Sequence, residues 1–466
     1  MTTNMDQAPQ RKQIRFYSAA NLDELQRAVG LSPRERHVIE VVSQVLPFKV
    51  NNHVVESLID WAKVPEDPVF QMTFPQEGML RPAHFARMSA AVQGGQRENI
   101  RRVADSIRQE LNPHPGGQLT DNQVALDGEI VPGVQHKYIE TCLVFPSVSQ
   151  TCHSYCSYCF RWAQFVGDAD LRFATDKSMR YVEYLRQHRE ISDVLFTGGD
   201  PMFTPAAVLS RYIEPLLGSD FDHIQTIRIG SKSLSYWPYR FLTDSDADAM
   251  LGLFERVVRL GKHLSFMAHF THGQELQPQV VADAIRRIRN TGAVIRTQAP
   301  LLRHVNDDAA VWIQKWKTEV RLGCVPYYMF VERDTGACNY FKVPLSRAAE
   351  IFQTAARGVS GLAATVRGPV MSTLPGKVMI EGVAEVAGRR VFVLSFLRAR
   401  SADWCRRPFF AEYDPSACWL SDLRPAFPDT EFFYERELTE MQSERVLPRP
   451  VELDDVAPGV AMAQTA

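Results

Sequence analysis

Six short runs rich in apolar and β-branched residues, "KYIETCLVF", "DVLFTGG", "TIRIGS", "LSFMAHF", "AVIRTQAP" and "VPYYMFV", recur between residues 137 and 331 with helical patterns separating them. Nothing else in the sequence limits the fold as strongly. Intervening stretches such as "SMRYVEYLRQHRE", "VVADAIRRIRNTG" and "AAVWIQKWKTEVRLG" are long enough to cross back over a sheet. Consecutive runs are therefore expected to be parallel neighbours joined by right-handed crossovers. The predicted class is α/β, an open or closed barrel built from six (β/α) units. In such folds ligands sit beyond the carboxyl ends of the strands. Each run ends in a polar or glycine-rich element, "FPSVSQTC", "TGGDP", "GSKS", "HFTHG", "QAPLLRHVND" or "VERDTG", so the candidate site residues share one rim.

The flanks read differently. Apolar residues recur at helical spacing from "NLDELQRAVG" to "VESLIDWAKV" and again in "HFARMSAAVQGGQRENIRRVADSIRQEL", giving an N-terminal helical region over residues 1–110. "NPHPGGQLTDNQ" then punctuates the chain. The barrel core is expected over 111–380, followed by a C-terminal extension over 381–466 whose tail, rich in Pro, Ala and acidic residues, is expected to be disordered. A formal net charge of -2 gives no global field toward nucleic acid or an anionic membrane, which leaves a small molecule as the expected partner. No run approaches the roughly 18 apolar residues of a membrane span, and "MTTNMDQAPQRKQIRFYSAA" lacks the apolar core of a signal peptide. The expected location is the cytoplasm.

Of eight cysteines, Cys142, Cys324, Cys338, Cys405 and Cys418 are scattered, as reduced thiols would be. Cys152, Cys156 and Cys159 stand apart in "SQTCHSYCSYCFRW", with the spacing C-x3-C-x2-C, just after the first barrel run. A structural zinc site needs four ligands, and no second cysteine pair is near, although His153 lies inside the loop. A redox dithiol would leave Cys152 unused. A [4Fe–4S] cube uses all three thiolates and leaves one iron open.

With this cysteine pattern, "VLFTGGDP" (194–201), "IRIGSKS" (227–233), "AHFTHGQEL" (268–276), "LLRHVNDD" (301–308) and "VPYYMF" (325–330), the chain resembles the radical S-adenosylmethionine (SAM) superfamily and, within it, the lysine 2,3-aminomutase family, over about residues 40–380. The resemblance implies a partial (β/α)6, TIM-like radical SAM barrel whose [4Fe–4S] cluster is held by Cys152, Cys156 and Cys159, with SAM on the open iron as the source of a deoxyadenosyl radical. It assigns Gly198, Gly199 and Asp200 to the edge that receives the methionyl amino group. Arg228, Ser231, His269, Gln298, Arg303 and Asn306 fall to SAM and a second cofactor.

That second cofactor is pyridoxal 5'-phosphate (PLP). The lysine implied for it is Lys377 in "VMSTLPGKVMI", where the family's glycine run is shortened to one glycine, and a desolvated lysine amine is a fit partner for an aldehyde. On the phosphate side the resemblance keeps a cation at Lys137 but has Thr141 where the family usually has arginine. Arg161 is implied to hold the α-carboxylate of an amino acid substrate. Lysine-acting members neutralise the distant ammonium with two aspartates, and Arg333 and Val370 stand at those positions, so the expected substrate is an amino acid other than lysine, with an acidic or neutral side chain. The family's C-terminal zinc cysteines are not reproduced in spacing, and no zinc is expected. The implied activity is an isomerase, a PLP-dependent 2,3-aminomutase served by a reductant such as flavodoxin or ferredoxin and built as a homo-oligomer. A PLP-independent radical SAM enzyme and a non-catalytic metal-binding protein are the alternatives.

Overall fold

The computed structural model describes residues 11–116, 120–166, 174–175, 179–428 and 430–443. The polar first residues and the tail expected to be disordered lie outside the described residues, apart from Arg11 and Lys12 at one end and residues up to 443 at the other. Near the start, strands β1 (Phe16–Ser18) and β2 (Lys49–Asn51) pair antiparallel. Helices Leu22–Val29, Pro33–Val42, Pro68–Thr73, Pro82–Gly94 and Arg97–Leu111 surround them. The second of these starts where Ser32 and Glu35 cap one another's backbone N–H groups and Pro33 fixes the first turn. The apolar faces of this region bury Leu25, Val41, Val50, Phe70 and Phe74 in one core with Tyr158, Trp162, Tyr236, Leu302 and Phe341 of the barrel. Burying large side chains at roughly 1.5–3 kcal/mol each fixes the helical region over the barrel rim.

Twelve strands form one sheet: β3 (Gln123–Leu126), β4 (Glu129–Tyr138), β5 (Thr141–Val144), β6 (Asp193–Phe196), β7 (Thr226–Ser231), β8 (His263–His269), β9 (Val294–Leu301), β10 (Val325–Val331), β11 (Arg367–Ser372), β12 (Gly376–Val386), β13 (Arg389–Ala399) and β14 (Pro408–Glu412). Neighbours from β5 to β11 are parallel, and both wings are antiparallel. Six βα units in succession therefore precede β11, and the expected α/β, TIM-like partial barrel is present. The alternation of buried and half-buried residues along β6 and β7 puts Val194, Phe196, Ile227 and Ile229 under the helices. Leu195 and Arg228 line an interior cavity.

Two features depart from the predicted strands. "KYIETCLVF" is not one strand: Tyr138 pairs with Thr141 across a tight turn, so Lys137 and Tyr138 end β4 and Thr141 begins β5. The seventh parallel strand, β11, was not anticipated because "RGPVMS" carries Pro369, a residue that removes a ladder donor and argues against an interior strand. The two wings approach each other: Arg400 donates to Asn122 Oδ1 at 2.6 Å and to the Asp121 carbonyl at 3.2 Å, and Lys137 Nζ donates to the Thr373 carbonyl. Residue 380, the expected end of the core, falls within β12.

Candidate active site

The loop after β5 carries Cys152, Cys156 and Cys159 and is held from several sides. Asn51 Nδ2 donates to the carbonyls of His153 (3.0 Å) and Tyr236 (2.8 Å), and its backbone N–H donates to Ser154 Oγ (3.0 Å). Tyr155 N–H reaches the Lys49 carbonyl (2.8 Å) and Ser157 N–H the Met72 carbonyl (2.9 Å). Lys49 Nζ donates to Thr151 Oγ1 (2.6 Å) and lies 4.6 Å from the Tyr155 ring. The N-terminal region thus acts as a mould for the loop. Burial pushes all three thiols up, Cys159 to about 12, and the proximity of Asp200, Cys159 and Cys156 pushes Cys152 further. Thiols that raise one another's proton affinity are a donor set completed by soft positive charge, so a metal centre fits them. His153 does not join them: its Nδ1 hydrogen-bonds Ser233 Oγ (2.9 Å) and its ring packs 5.1 Å from Phe203.

"TGGDP" backs directly onto this loop. Gly199 N–H donates to the Ser149 carbonyl (2.8 Å) and Asp200 N–H to the Thr151 carbonyl (2.8 Å). A Cβ on Gly199 would lie 2.4 Å from the Thr151 carbonyl oxygen, and Gly198 has φ of +154°. These glycines permit the close approach of the chain's own cysteine loop. Asp200 is buried and accepts from Met202 N–H (2.9 Å), Lys232 N–H (3.0 Å) and Ser233 Oγ (3.0 Å), while Ser231 Oγ accepts from Ser233 N–H (2.9 Å). Asp200 therefore binds the β6 and β7 ends together, while Ser231 caps the turn that leaves β7.

The second centre is a cavity of about 1120 Å³ enclosed by the sheet and the C-terminal segments. Lys377 of β12 projects into it, its Nζ 4.4 Å from the Tyr328 ring. Burial, then the nearby guanidinium groups of Arg228 and Arg367, bring its amine down to about 7. Arg161 also lines the cavity, its guanidinium 4.3 Å from the Phe145 ring and 5.1 Å from Phe160, and burial lowers it to about 10. Arg333 lies 5.1 Å from the same Phe160 ring. Among the described residues its buried Nε has no hydrogen-bond partner, and neither Glu332 nor Asp334 is within ion-pair distance of it, Asp334 instead standing 3.8 Å from His114. The enclosed amine and the cationic walls fit an anionic aldehyde cofactor.

The remaining expected residues divide. Lys137 lines the cavity, and Arg228 does so while paired with Asp193 (2.7 and 2.5 Å). His269 ends β8, half-buried with its ring 6.1 Å from that of Tyr158, its Nε2 unpartnered among the described residues and the ring held neutral by desolvation. Gln298 is its register partner on β9. Arg303 and Asn306 do not reach the cavity. Arg303 is exposed and donates to the carbonyls of Tyr340 (2.9 Å) and Asn339 (2.8 Å); Asn306 bonds the Thr271 and Pro300 carbonyls (2.9 and 3.0 Å) and closes a turn at Leu302 N–H (2.7 Å). Val370 is core, packed with Tyr328 and Leu397. Sequence reasoning missed Asp193, Arg367 and Arg398 of the cavity, and the buried Lys232–Glu275 pair (2.5 Å) behind the cysteine loop, where Cys156 Sγ meets Tyr236 OH at 3.5 Å. Glu275, Lys232 and Asp193 had a signal, as charged residues inside quoted stretches; Arg367 and Arg398 had none.

No family model matches the chain. Among individual proteins, it is 31% identical over 391 residues to one from Aquifex aeolicus named for L-lysine 2,3-aminomutase, covering 83% of this chain and 90% of that one. It is 23% identical over 345 residues to a glutamate 2,3-aminomutase from Clostridioides difficile, 74% of this chain and 69% of the relative. Among solved structures, a radical SAM methyltransferase from Sphaerobacter thermophilus matches 76% of this chain and 94% of its own at 14% identity, with a TM-score of 0.38.

Proposed function

This chain belongs to the lysine 2,3-aminomutase family of radical SAM enzymes, and from that premise we propose that it is an isomerase: a PLP-dependent aminomutase that moves the α-amino group of an amino acid other than lysine to the neighbouring carbon. The family implies a [4Fe–4S] cluster and SAM. When bound, the cluster and SAM supply a carbon-centred radical, and PLP supplies an aldehyde that can hold the migrating nitrogen.

The observation that carries the reading is a desolvated amine in a cavity whose lining includes Phe160 and Arg161, the two residues that follow the third cysteine. Lys377, brought down to about 7, is about half unprotonated at neutral pH and so presents a free lone pair far more often than a solvated lysine does. Cys152, Cys156 and Cys159 would hold the cluster. Arg161 would take the substrate's α-carboxylate through its fork of N–H donors, its ring contacts with Phe145 and Phe160 fixing the plane. Arg333 would face the substrate's far end. Two cations about 4 Å apart at an effective dielectric near 20 repel by roughly 4 kcal/mol, which disfavours lysine and favours a side chain ending in a carboxylate. Phe160, Tyr328 and the C-terminal residues Trp419 and Tyr434 line the same space and supply its apolar walls. The test is incubation of anaerobically reconstituted protein with reductant, SAM and each common amino acid, reading β-amino products. A β-amino product from glutamate or aspartate is expected; efficient turnover of lysine, or no β-amino product from any amino acid, overturns the proposal.

A further inference from the structure

We propose that Arg367 and Arg398 form a phosphate-binding subsite beside Lys377, a role that rests on the PLP reading above. Arg367 opens β11 as the register partner of Tyr328, and Arg398 of β13 is the register partner of Lys377 itself. All four residues line the cavity. The Arg367 guanidinium lies 4.5 Å from the Tyr327 ring and 4.9 Å from the Tyr328 ring, the same ring that carries Lys377 Nζ at 4.4 Å. Ring contact uses the faces of a guanidinium and leaves its N–H edge for an anion.

The other cations near Lys377 are already committed. Arg228 is neutralised by two contacts to Asp193. Lys137 spends a donor on the Thr373 carbonyl, and Thr141 directs its hydroxyl to Asp193 Oδ2 at 3.2 Å. Among the described residues no carboxylate pairs with Arg367 or Arg398, the latter being the more exposed of the two. Arg367, half-buried beside a desolvated amine and without a counter-charge, is left poorly compensated, and Arg398 adds a second positive charge from the exposed edge. A phosphate ester, with close to two negative charges and several strong acceptor oxygens, compensates both. Residues on β11 and β13 thereby take the place of the arginine that Thr141 replaces.

The experiment compares PLP with pyridoxal, which has the same aldehyde and no phosphate, by equilibrium dialysis against the full chain. Lys377 meets both compounds alike, so their ratio isolates the phosphate. In the wild type PLP is expected to bind more tightly. Arg367→Gln is expected to weaken PLP by roughly tenfold to a hundredfold, as for a lost charge-assisted hydrogen bond, with pyridoxal unchanged. Arg398→Gln is expected to act in the same direction by less, and the double variant to bring the two compounds to equal affinity. Equal PLP affinity in wild type and the double variant overturns the subsite, as does a parallel loss of PLP and pyridoxal, which marks a structural role. Wild type that retains neither compound removes the cofactor reading, and the subsite with it.

Discussion

The cysteine loop and the Lys377 cavity are built in opposite ways. The loop is a continuous segment whose three thiols lie within eight residues, and its shape is imposed by backbone hydrogen bonds from β2, from the Pro68–Thr73 helix and from the β6 end. The cavity takes Lys377 from β12, its guanidinium groups from β7, β11, β13, the segment after β10 and the cysteine loop, and its aromatic walls from β10 and the C-terminal segments. Identity and spacing define the first centre. Register and closure of a twelve-stranded sheet define the second. Chemistry written locally can be lost by one residue change, whereas chemistry assembled by a fold degrades by degrees.

The sharpest way to break this comparison is to remove one thiol. Cys156→Ala is expected to abolish iron retention and SAM cleavage, since two thiolates cannot hold a cube that needs three, while PLP binding in the cavity persists. Iron and sulfide assay, deoxyadenosine release and PLP dialysis on one preparation check it. Full iron content in the variant would refute the cluster assignment.

Lys377→Met is the reciprocal change and should remove PLP retention while leaving iron content intact. It also has a sign in stability. The folded amine sits near 7 and the unfolded one near 10.5, so between these values the unfolded chain binds the extra proton and stability rises with pH. Replacing the amine by a thioether removes a buried polar group, so the cofactor-free variant is expected to gain about 1–3 kcal/mol at neutral pH and to lose that pH slope. Denaturant unfolding at pH 7 and pH 9 reads both, and a variant less stable than wild type at pH 7 would show that the amine has partners in the fold.

Much of this was legible. The parallel strands β6 to β10 and the cysteine loop follow from periodicity and spacing, because apolar runs and thiols are local signals. β11 was hidden by Pro369, and the β4–β5 turn by the apolar Ile139 at its tip. Arg367 and Arg398 were illegible for a different reason: an arginine in a strand points into a barrel or out of it according to the register of its neighbours, which no short window contains. Arg303 and Asn306 sit inside a motif, yet the fold spends them on holding loops.

A third change sharpens the comparison within the cavity. Arg333→Gln removes a guanidinium that makes no ion pair, and whose Nε has no partner, among the described residues. Its expected effect falls on substrate choice, as a roughly tenfold to hundredfold weaker preference for glutamate or aspartate over lysine in product yield, in line with the loss of one charge-assisted contact. An unchanged ratio would mean that Arg333 does not face the substrate.

The smallest expected effect lies at the seam between the two centres. Gly199→Ala adds one methyl group, but that carbon would meet the Thr151 carbonyl oxygen at 2.4 Å and the Thr151 nitrogen at 2.6 Å, both backbone atoms that cannot rotate away. The loop must shift, at about 1–3 kcal/mol for overpacking. Because Gly199 N–H and Asp200 N–H bond the segment that leads into Cys152, the shift is delivered to the first thiol rather than to the cavity. Iron content is therefore expected to fall in part, with faster cluster loss under chelator, while PLP affinity stays at the wild-type value. Gly218→Ala, where an added Cβ meets nothing within 4 Å, is the control and should change neither. If Gly199→Ala weakened PLP binding as much as iron retention, the loop and the cavity would be one cooperative unit, and the contrast between a locally written centre and an assembled one would fail at the point where they touch.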